Sequence, residues 1–348
     1  MTAAGRASSG GRSRAGGAAV AAGLALLLAL AALWSLRIGA TEIPTRTLFA
    51  AVFSPDPDAH AHAVLRAVRL PRLLTGLIAG GALAAAGAIM QAATGNPLAS
   101  PGLLGINAGA AFAVVCASIL APGAAMGTLV GWAFAGAAMA AAAVYAAGSA
   151  GRGGATSAKL ALAGAILSAF IGSLTAAALI FDTGSLDAVR AWTVGSVEGR
   201  SPQAVAAAAP WAAAGLAAAL IFSRQVTTLS LGAEVARQVG QNVLLWRALC
   251  AVAVVMLAGS AVALAGPIGF VGLMAPHAAR LAVGTDFARL LPVAALGGAG
   301  LVVGAAAALR AGLPGRDVPV GVGMALPGAP AFIWFVRGRA GRRAGAAA

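Results

Sequence analysis

Gly76-Leu-Ile-Ala-Gly80-Gly81-Ala-Leu-Ala-Ala-Ala-Gly87-Ala-Ile-Met-Gln91 is the stretch on which the fold turns. It belongs to a 21-residue run, 73–93, that carries no charge. At 1.5 Å per residue such a helix spans roughly the 30 Å of a bilayer's hydrocarbon core. Lipid gives apolar side chains little reason to leave it for one another, so helices there associate by close backbone approach, which Gly and Ala permit. A second stretch of the same kind, Gly297-Gly298-Ala-Gly300-Leu-Val-Val-Gly304, marks another such span. A GC-rich genome that favours Ala and Gly codons would enrich the same residues, and close helix packing follows in either case.

Scanning outward for runs of about 20 apolar residues yields ten spans, near 18–36, 73–93, 103–121, 124–148, 160–181, 204–222, 248–265, 268–283, 290–309 and 318–336. The eighth is short and interrupted by Pro276. The expected fold is therefore all-α, a polytopic membrane protein of about ten transmembrane helices. Residues 18–336 form one transmembrane domain between a disordered basic tail (1–17) and a basic tail (337–348).

Composition agrees: of 348 residues 60% are hydrophobic and only 9% charged, with a mean hydropathy of +0.92. Soluble domains carry roughly 25% charged residues. Nine carboxylates, three His and two Cys leave little material for a metal cage or a disulfide framework. Cys116 and Cys250 lie in apolar runs as plain core residues. The net charge of +14 does not point to nucleic acid, because the basic residues lie between apolar segments rather than along one face.

Topology accounts for the charge instead. With both termini in the cytoplasm, inner segments hold 14 Lys and Arg against Glu234 and Asp286, a net +12. Outer segments hold nine against seven carboxylates, a net +2. That asymmetry sets the orientation. The run from Ala18 to Trp34 exceeds a signal-peptide core, and Ser35-Leu-Arg-Ile-Gly is a poor cleavage site, so the first span is read as retained.

No Asp or Glu falls inside a span, which removes the usual engine of a proton- or Na⁺-driven carrier. The chain also lacks G-x-x-x-x-G-K-[ST], H-E-x-x-H and G-x-S-x-G, so it has neither a P-loop nor a recognisable hydrolase site. Either a partner supplies energy or the protein is a passive channel. A weak repeat, Ala82 to Ile89 against Ala261 to Ile268, matches at five of eight positions, and its copies fall in oppositely directed spans, as an inverted repeat requires. Chance similarity in an Ala-rich chain is the other reading.

Loops carry the remaining identity. Arg69-Leu-Pro-Arg72 opens span two on the outside. Gln91 closes it ahead of Gly95-Asn96-Pro97-Leu-Ala-Ser-Pro-Gly-Leu-Leu-Gly105. Further blocks are Leu160-Ala-Leu-Ala-Gly164, Trp192-Thr-Val-Gly-Ser196, Leu231-Gly232-Ala-Glu234-Val-Ala236-Arg237-Gln-Val-Gly240, Gly266-Pro-Ile-Gly-Phe-Val-Gly-Leu-Met-Ala-Pro276-His277-Ala-Ala-Arg280, Val318-Pro-Val-Gly321 and Gly328-Ala-Pro330. From about residue 43 to 336 this pattern strongly resembles the FecCD-type permeases of ATP-driven importers for iron-siderophores, haem and vitamin B12.

The resemblance implies partners: a second permease copy or paralogue, a cytoplasmic ATPase dimer that binds ATP and Mg, an extracytoplasmic substrate-binding protein, and membrane lipid, with no nucleic acid. It implies a multi-pass protein of the bacterial inner membrane that carries out no catalysis and binds no cofactor or metal itself. Ferric siderophore is the expected cargo, with haem or cobalamin the alternatives. It also implies roles for residues. Arg69, Arg72 and Arg310 would receive carboxylates of the binding protein, a task that suits the bidentate guanidinium. The acid usual four residues before the last Arg is replaced by Ala306, and the following loop is shorter. Leu231, Gly232, Glu234, Ala236, Arg237 and Gly240 would form a short surface helix that couples to the ATPase. Thr156 and Ser157 are gate candidates, or simply helix caps. Gln91, Asn96, Pro97, Gly105, Pro276 and His277 are family-motif positions, His277 being read as a packed residue. His60 and His62, with Asp56 and Asp58, could hold a metal loosely, a mobile solvated loop being the plainer reading.

Overall fold

The computed structural model describes residues 14–39, 42–54, 56, 58–150, 156–181, 193–313 and 318–330. They are helical, without a strand among the described residues. The elements are α1 (Arg14–Arg37), α2 (Thr45–Phe53), α3 (His60–Val64), α4 (Leu70–Thr94), α5 (Ile106–Leu120), α6 (Met126–Ser149) and α7 (Ser157–Phe181). There follow α8 (Pro202–Ile221), α9 (Ser223–Ser230), α10 (Ala233–Gln238), α11 (Val243–Ala265), α12 (Val271–Val283), α13 (Phe287–Gly312) and α14 (Val320–Pro330).

Each of the ten expected spans contains a helix. Among the described residues seven helical stretches are long and apolar enough to cross a membrane, while Ile106–Leu120, Val271–Val283 and Val320–Pro330 are shorter. For α12 the cause is local. Gly266 at φ 71° and Phe270 at φ 65° keep residues 266–270 out of the helix. Non-helical backbone at membrane depth survives only when buried in protein or lining a cavity. Here Gly266 and Ile268 are buried while Gly269 is exposed, and the neighbouring backbone is paired: Ser196 N–H donates to Ala265 O at 2.8 Å and Gly321 N–H to Gly195 O at 2.9 Å. A Cβ on Gly328 would sit 2.5 Å from the Phe270 ring. Four of the motif blocks therefore meet at one place.

The core sits around α4, whose residues Ala82 to Ala92 are all buried. It packs against α13, α11, α12 and α8. The two glycine stretches singled out from sequence face each other: a Cβ on Gly80 would lie 2.3 Å from Gly298 O, and one on Gly298 2.4 Å from Gly80 O. Gly109 of α5 and Gly136 of α6 make the same mutual contact at 2.3 and 2.2 Å. The two copies of the weak repeat lie on α4 and α11, which pack together, although Gly266 to Ile268 falls beyond the end of α11. Peripheral α1 and α7 are mostly exposed.

Three boundaries differ from expectation. α1 starts at Arg14, so residues 14–17 belong to the helix rather than to a tail. The outer segment read as a solvated loop contains α2 and α3, closed over a small core of Ile43, Leu48, Ala51 and Leu65. Arg69 and Arg72 are not in a loop either, because residues 60–94 form one continuous helix. Its turn at Leu65–Arg69 is π-helical, with Leu70 N–H reaching Leu65 O. Pro71 lies one residue on and has no N–H for the carbonyl four residues back, so widening the turn re-pairs the backbone.

Candidate functional site

At one end of the bundle, Arg69 and Arg310 converge on the end of α1, and Arg72 pairs beside them with Glu198. The last carbonyls of a helix lack intrahelical partners and attract cations. Arg69, 5% exposed, donates from Nη1 to Leu36 O at 2.6 Å and Arg37 O at 2.8 Å. Arg310 donates from Nη1 to Ile38 O at 3.2 Å, from Nη2 to Ser35 Oγ at 2.7 Å and from Nε to Ala306 O at 3.3 Å. Thus Ala306, where an acid is usual, still serves Arg310 through its backbone. Gly39 leaves room for this, since a Cβ there would meet Arg69 Nη2 at 2.7 Å. Arg72 pairs with Glu198 (Nη2 to Oε1, 2.8 Å), the two side chains 15% and 18% exposed. Nearby Arg200 donates to Ser196 O at 3.4 Å, and burial holds its guanidinium below the ordinary arginine range.

At the opposite end of the bundle, α9 and α10 lie between α8 and α11 in the chain. Gly232 starts α10 at φ 111°, a conformation that side chains with a Cβ rarely adopt. Its other end is a Schellman cap: Gly240 at φ 80° donates to Arg237 O at 2.9 Å, and Gln241 N–H to Ala236 O at 2.9 Å. Ala236 is buried. Val235 and Val239, one turn apart, are 40% and 66% exposed, and Leu231, ahead of Gly232, is 63% exposed, so this element carries apolar side chains at the surface. Two ties fix the element: Gln241 Nε2 donates to Gln225 O at 3.1 Å, and Phe287 N–H donates to Thr227 Oγ1 at 3.0 Å.

Between the faces, the structure explains two motif residues by each other. Pro276, inside α12, cannot donate to Gly272 O, the carbonyl four residues earlier. Gln91, buried on α4, does so from Nε2 at 3.1 Å, while its Oε1 accepts from Arg280 Nη2. Gly87 permits the approach, since a Cβ there would be 2.0 Å from Gly272 O. The network supports a prediction. Gln91→Leu leaves a buried carbonyl and removes a partner of Arg280, and is expected to cost about 2–4 kcal/mol. Pro276→Ala returns an N–H to Gly272 O, so the double variant should lose less than the summed singles, read by thermal unfolding in detergent. Strict additivity would refute the pairing.

Asn96, Pro97 and Gly105 shape local backbone. Asn96 Oδ1 accepts from Leu98 N–H at 2.9 Å, an Asx turn that carries the chain through Pro97. Gly105, at φ 70°, starts α5. His277 is half-buried on α12. Thr156 Oγ1 accepts from Lys159 N–H at 3.3 Å as an N-cap of α7. Ser157 follows in α7, and 151–155 of that inner loop lie outside the described residues, as do Trp192 and 331–348. His62 is buried and accepts from Asp56 N–H at 3.0 Å. No group of three or more potential metal ligands occurs among the described residues.

Sequence reasoning missed Glu198, Arg280 and Ser35 as partners. Glu198, the lone acid just beyond the Trp192-Thr-Val-Gly-Ser196 block, carried a usable signal.

The FecCD transport family matches residues 27–338. The chain belongs to that family. It is 44% identical over 303 residues to the Bacillus subtilis (strain 168) protein named "Probable siderophore transport system permease protein YfiZ", covering 87% of this chain and 91% of that one. It is 41% identical over 304 residues to the ferric enterobactin transport system permease FepD of Escherichia coli (strain K12), covering 87% and 90%. Among solved structures it is similar to one presented as a metal-chelate type ABC transporter in an inward-facing conformation, with a TM-score of 0.80 at 27% identity over 92% of this chain and 99% of that one. This FecCD chain is accordingly an all-helical membrane permease of a transport family.

Proposed function

We propose that this FecCD chain is the permease subunit of an ATP-driven importer that moves a metal chelate, first of all a ferric siderophore, into the cytoplasm. Haem and cobalamin are the alternative cargoes. The relatives' names support the cargo class, and the observation that carries the mechanism is the inner-face element. The two-turn helix α10, locked by glycines at both ends and flanked by exposed Leu231, Val235 and Val239, follows α9, which Thr227 ties to α13; the α9–α10 pair is built to receive force from a partner. The chain has no P-loop of its own, so the partner is a cytoplasmic ATPase dimer that holds ATP and Mg, and this chain is a transport subunit rather than an enzyme.

Both termini are cytoplasmic on this reading, the net +12 side facing the inner leaflet of a bacterial inner membrane. A second permease copy or paralogue would cover α7, whose Leu162, Ile166 and Phe170 form an exposed row. The cargo would pass between the two protomers, with Thr156 and Ser157 at the inner end of the path. Docking of a substrate-binding protein would centre on Arg72, with Arg69 and Arg310 beside it. A docking carboxylate then competes with Glu198 for Arg72.

The test is reconstitution with and without the ATPase. Uphill chelate uptake is expected only with ATPase, ATP and binding protein together, and concentration of solute by vesicles of this chain alone would overturn the reading. Within the active complex, Val235→Asp desolvates a charge at this apolar surface and is expected to reduce transport and transport-linked ATP hydrolysis at least tenfold, equivalent to about 1.4 kcal/mol or more. The folded permease should be recovered unchanged.

A further inference from the structure

The least explained space in the molecule is a groove where α1 passes α12 and α13. It holds about 480 Å³ and is lined only by apolar residues, among them Leu24 and Leu28 of α1, Ala279 of α12 and Leu296, Gly297 and Gly300 of α13. The space is independently evident at the glycines: a Cβ on Gly297 or Gly300 would meet nothing within 4 Å, whereas one on Gly298 would strike the Gly80 carbonyl.

The dimensions select the occupant. On α1 the lining runs from Val20 to Ala31, about 16 Å of helix rise. All the empty space there, its open side included, is about 1030 Å³, roughly 60 Å² over that length, which admits an acyl chain but is less than the section of a helix about 10–12 Å across. Water has no polar partner in such a lining. One end of the groove is charged. Gly17 of α1 faces Arg289 of α13, a Cβ there lying 3.6 Å from Arg289 Cδ, and Arg14 opens the same helix. Arg289 Nε is 3.7 Å from Asp286 Oδ2, with the two side chains 35% and 51% exposed. Arg289 thus brings a partly exposed positive charge to this end of the groove, which a headgroup phosphate would complement. This end carries the amino end of α1, the side that the charge asymmetry makes cytoplasmic.

We propose that the α1/α12/α13 groove is a lipid site, which takes one acyl chain of an anionic phospholipid of the inner leaflet with its phosphate beside Arg289. The lipid then completes the packing of α1, a helix that already lies along α13 and is fastened at its carboxyl end by Arg69 and Arg310.

The test uses the full chain in nanodiscs of defined phosphatidylglycerol and phosphatidylcholine content, followed by native mass spectrometry. Wild type should retain one phosphatidylglycerol per chain in preference to phosphatidylcholine. Arg289→Ala should lower that preference about fivefold, the equivalent of about 1 kcal/mol for one cation near the surface. Gly297→Leu fills the groove and should abolish retention, and Gly300→Leu serves if the first variant does not fold. Gly172→Leu, at an equally open position on α7, should leave retention intact. Retention unchanged by both groove-filling variants would overturn the proposal, as would equal binding of the two lipids by wild type. So would disulfide crosslinking of Gly297→Cys to the same cysteine of a second copy, or to a cysteine introduced at Ser8 or Ser13, which would show the groove to be filled by protein.

Discussion

Gly80→Ala is expected to remove most of the folded permease from the membrane, although it adds a single methyl group. That methyl would lie 2.3 Å from Gly298 O and 2.8 Å from both Gly298 C and Ala299 Cα, all backbone atoms that no rotamer change can move aside. Overpacking usually costs about 1–3 kcal/mol where side chains can adjust. Here two helices must separate, and a loss above about 3 kcal/mol is expected. Two controls isolate the cause. Gly81→Ala meets Ala295 O only at 3.4 Å, and Gly300→Ala enters open space. The latter should be neutral or gain up to about 1 kcal/mol from helix propensity. Folded yield and thermal unfolding of the solubilised protein provide the measurement. A Gly80→Ala protein that accumulates and melts like wild type would mean that α4 and α13 do not meet as described.

The second large effect is at the outer face. Arg72→Glu places two carboxylates together where Arg72 and Glu198 now pair at 2.8 Å with little exposure. Breaking a pair of this kind costs about 3–5 kcal/mol. Uptake through the binding protein should fall to background, but misfolding alone could produce that result. The exchange variant, Arg72→Glu with Glu198→Arg, separates the two causes. It restores an ion pair and should recover most of the thermal stability, while uptake stays at least tenfold down because the docking arginine has moved to another segment. Full recovery of uptake by the exchange would show the pair to be purely structural and would remove Arg72 from the docking surface.

Sequence alone revealed what hydropathy and composition control. The spans were legible because an uncharged run of bilayer length has few other uses, and the meeting of Gly80 with Gly298 was foreshadowed by two stretches of small residues. Gly232 and Gly240 marked the ends of α10 because a bracketing pair of glycines implies backbone that other residues resist. What escaped depended on distance in the chain or on competition between partners. Gln91 and Gly272 are 181 residues apart, and only the missing N–H of Pro276 hinted that a donor was needed. For Arg69 the sequence indicates a span end, where an arginine normally reaches water, but not its intramolecular partners. The structure turns it onto α1, where unpaired carbonyls and the absence of a side chain at Gly39 make a better host. The α2 and α3 helices were missed because their small core is assembled from Ile43, Leu48, Ala51 and Leu65, too few residues for a periodic signal.

The reciprocal glycine contacts also limit how the molecule can move. Where Gly80 faces Gly298 and Gly109 faces Gly136, sliding by one residue would drive a Cβ into a carbonyl, so α4 with α13 and α5 with α6 behave as two welded plates. A transport cycle has to tilt such plates against each other along seams that lack these interlocks, and α7, which among the described residues packs mainly on α5, α6 and the 3₁₀ turn at Pro101–Leu104, lies along such a seam.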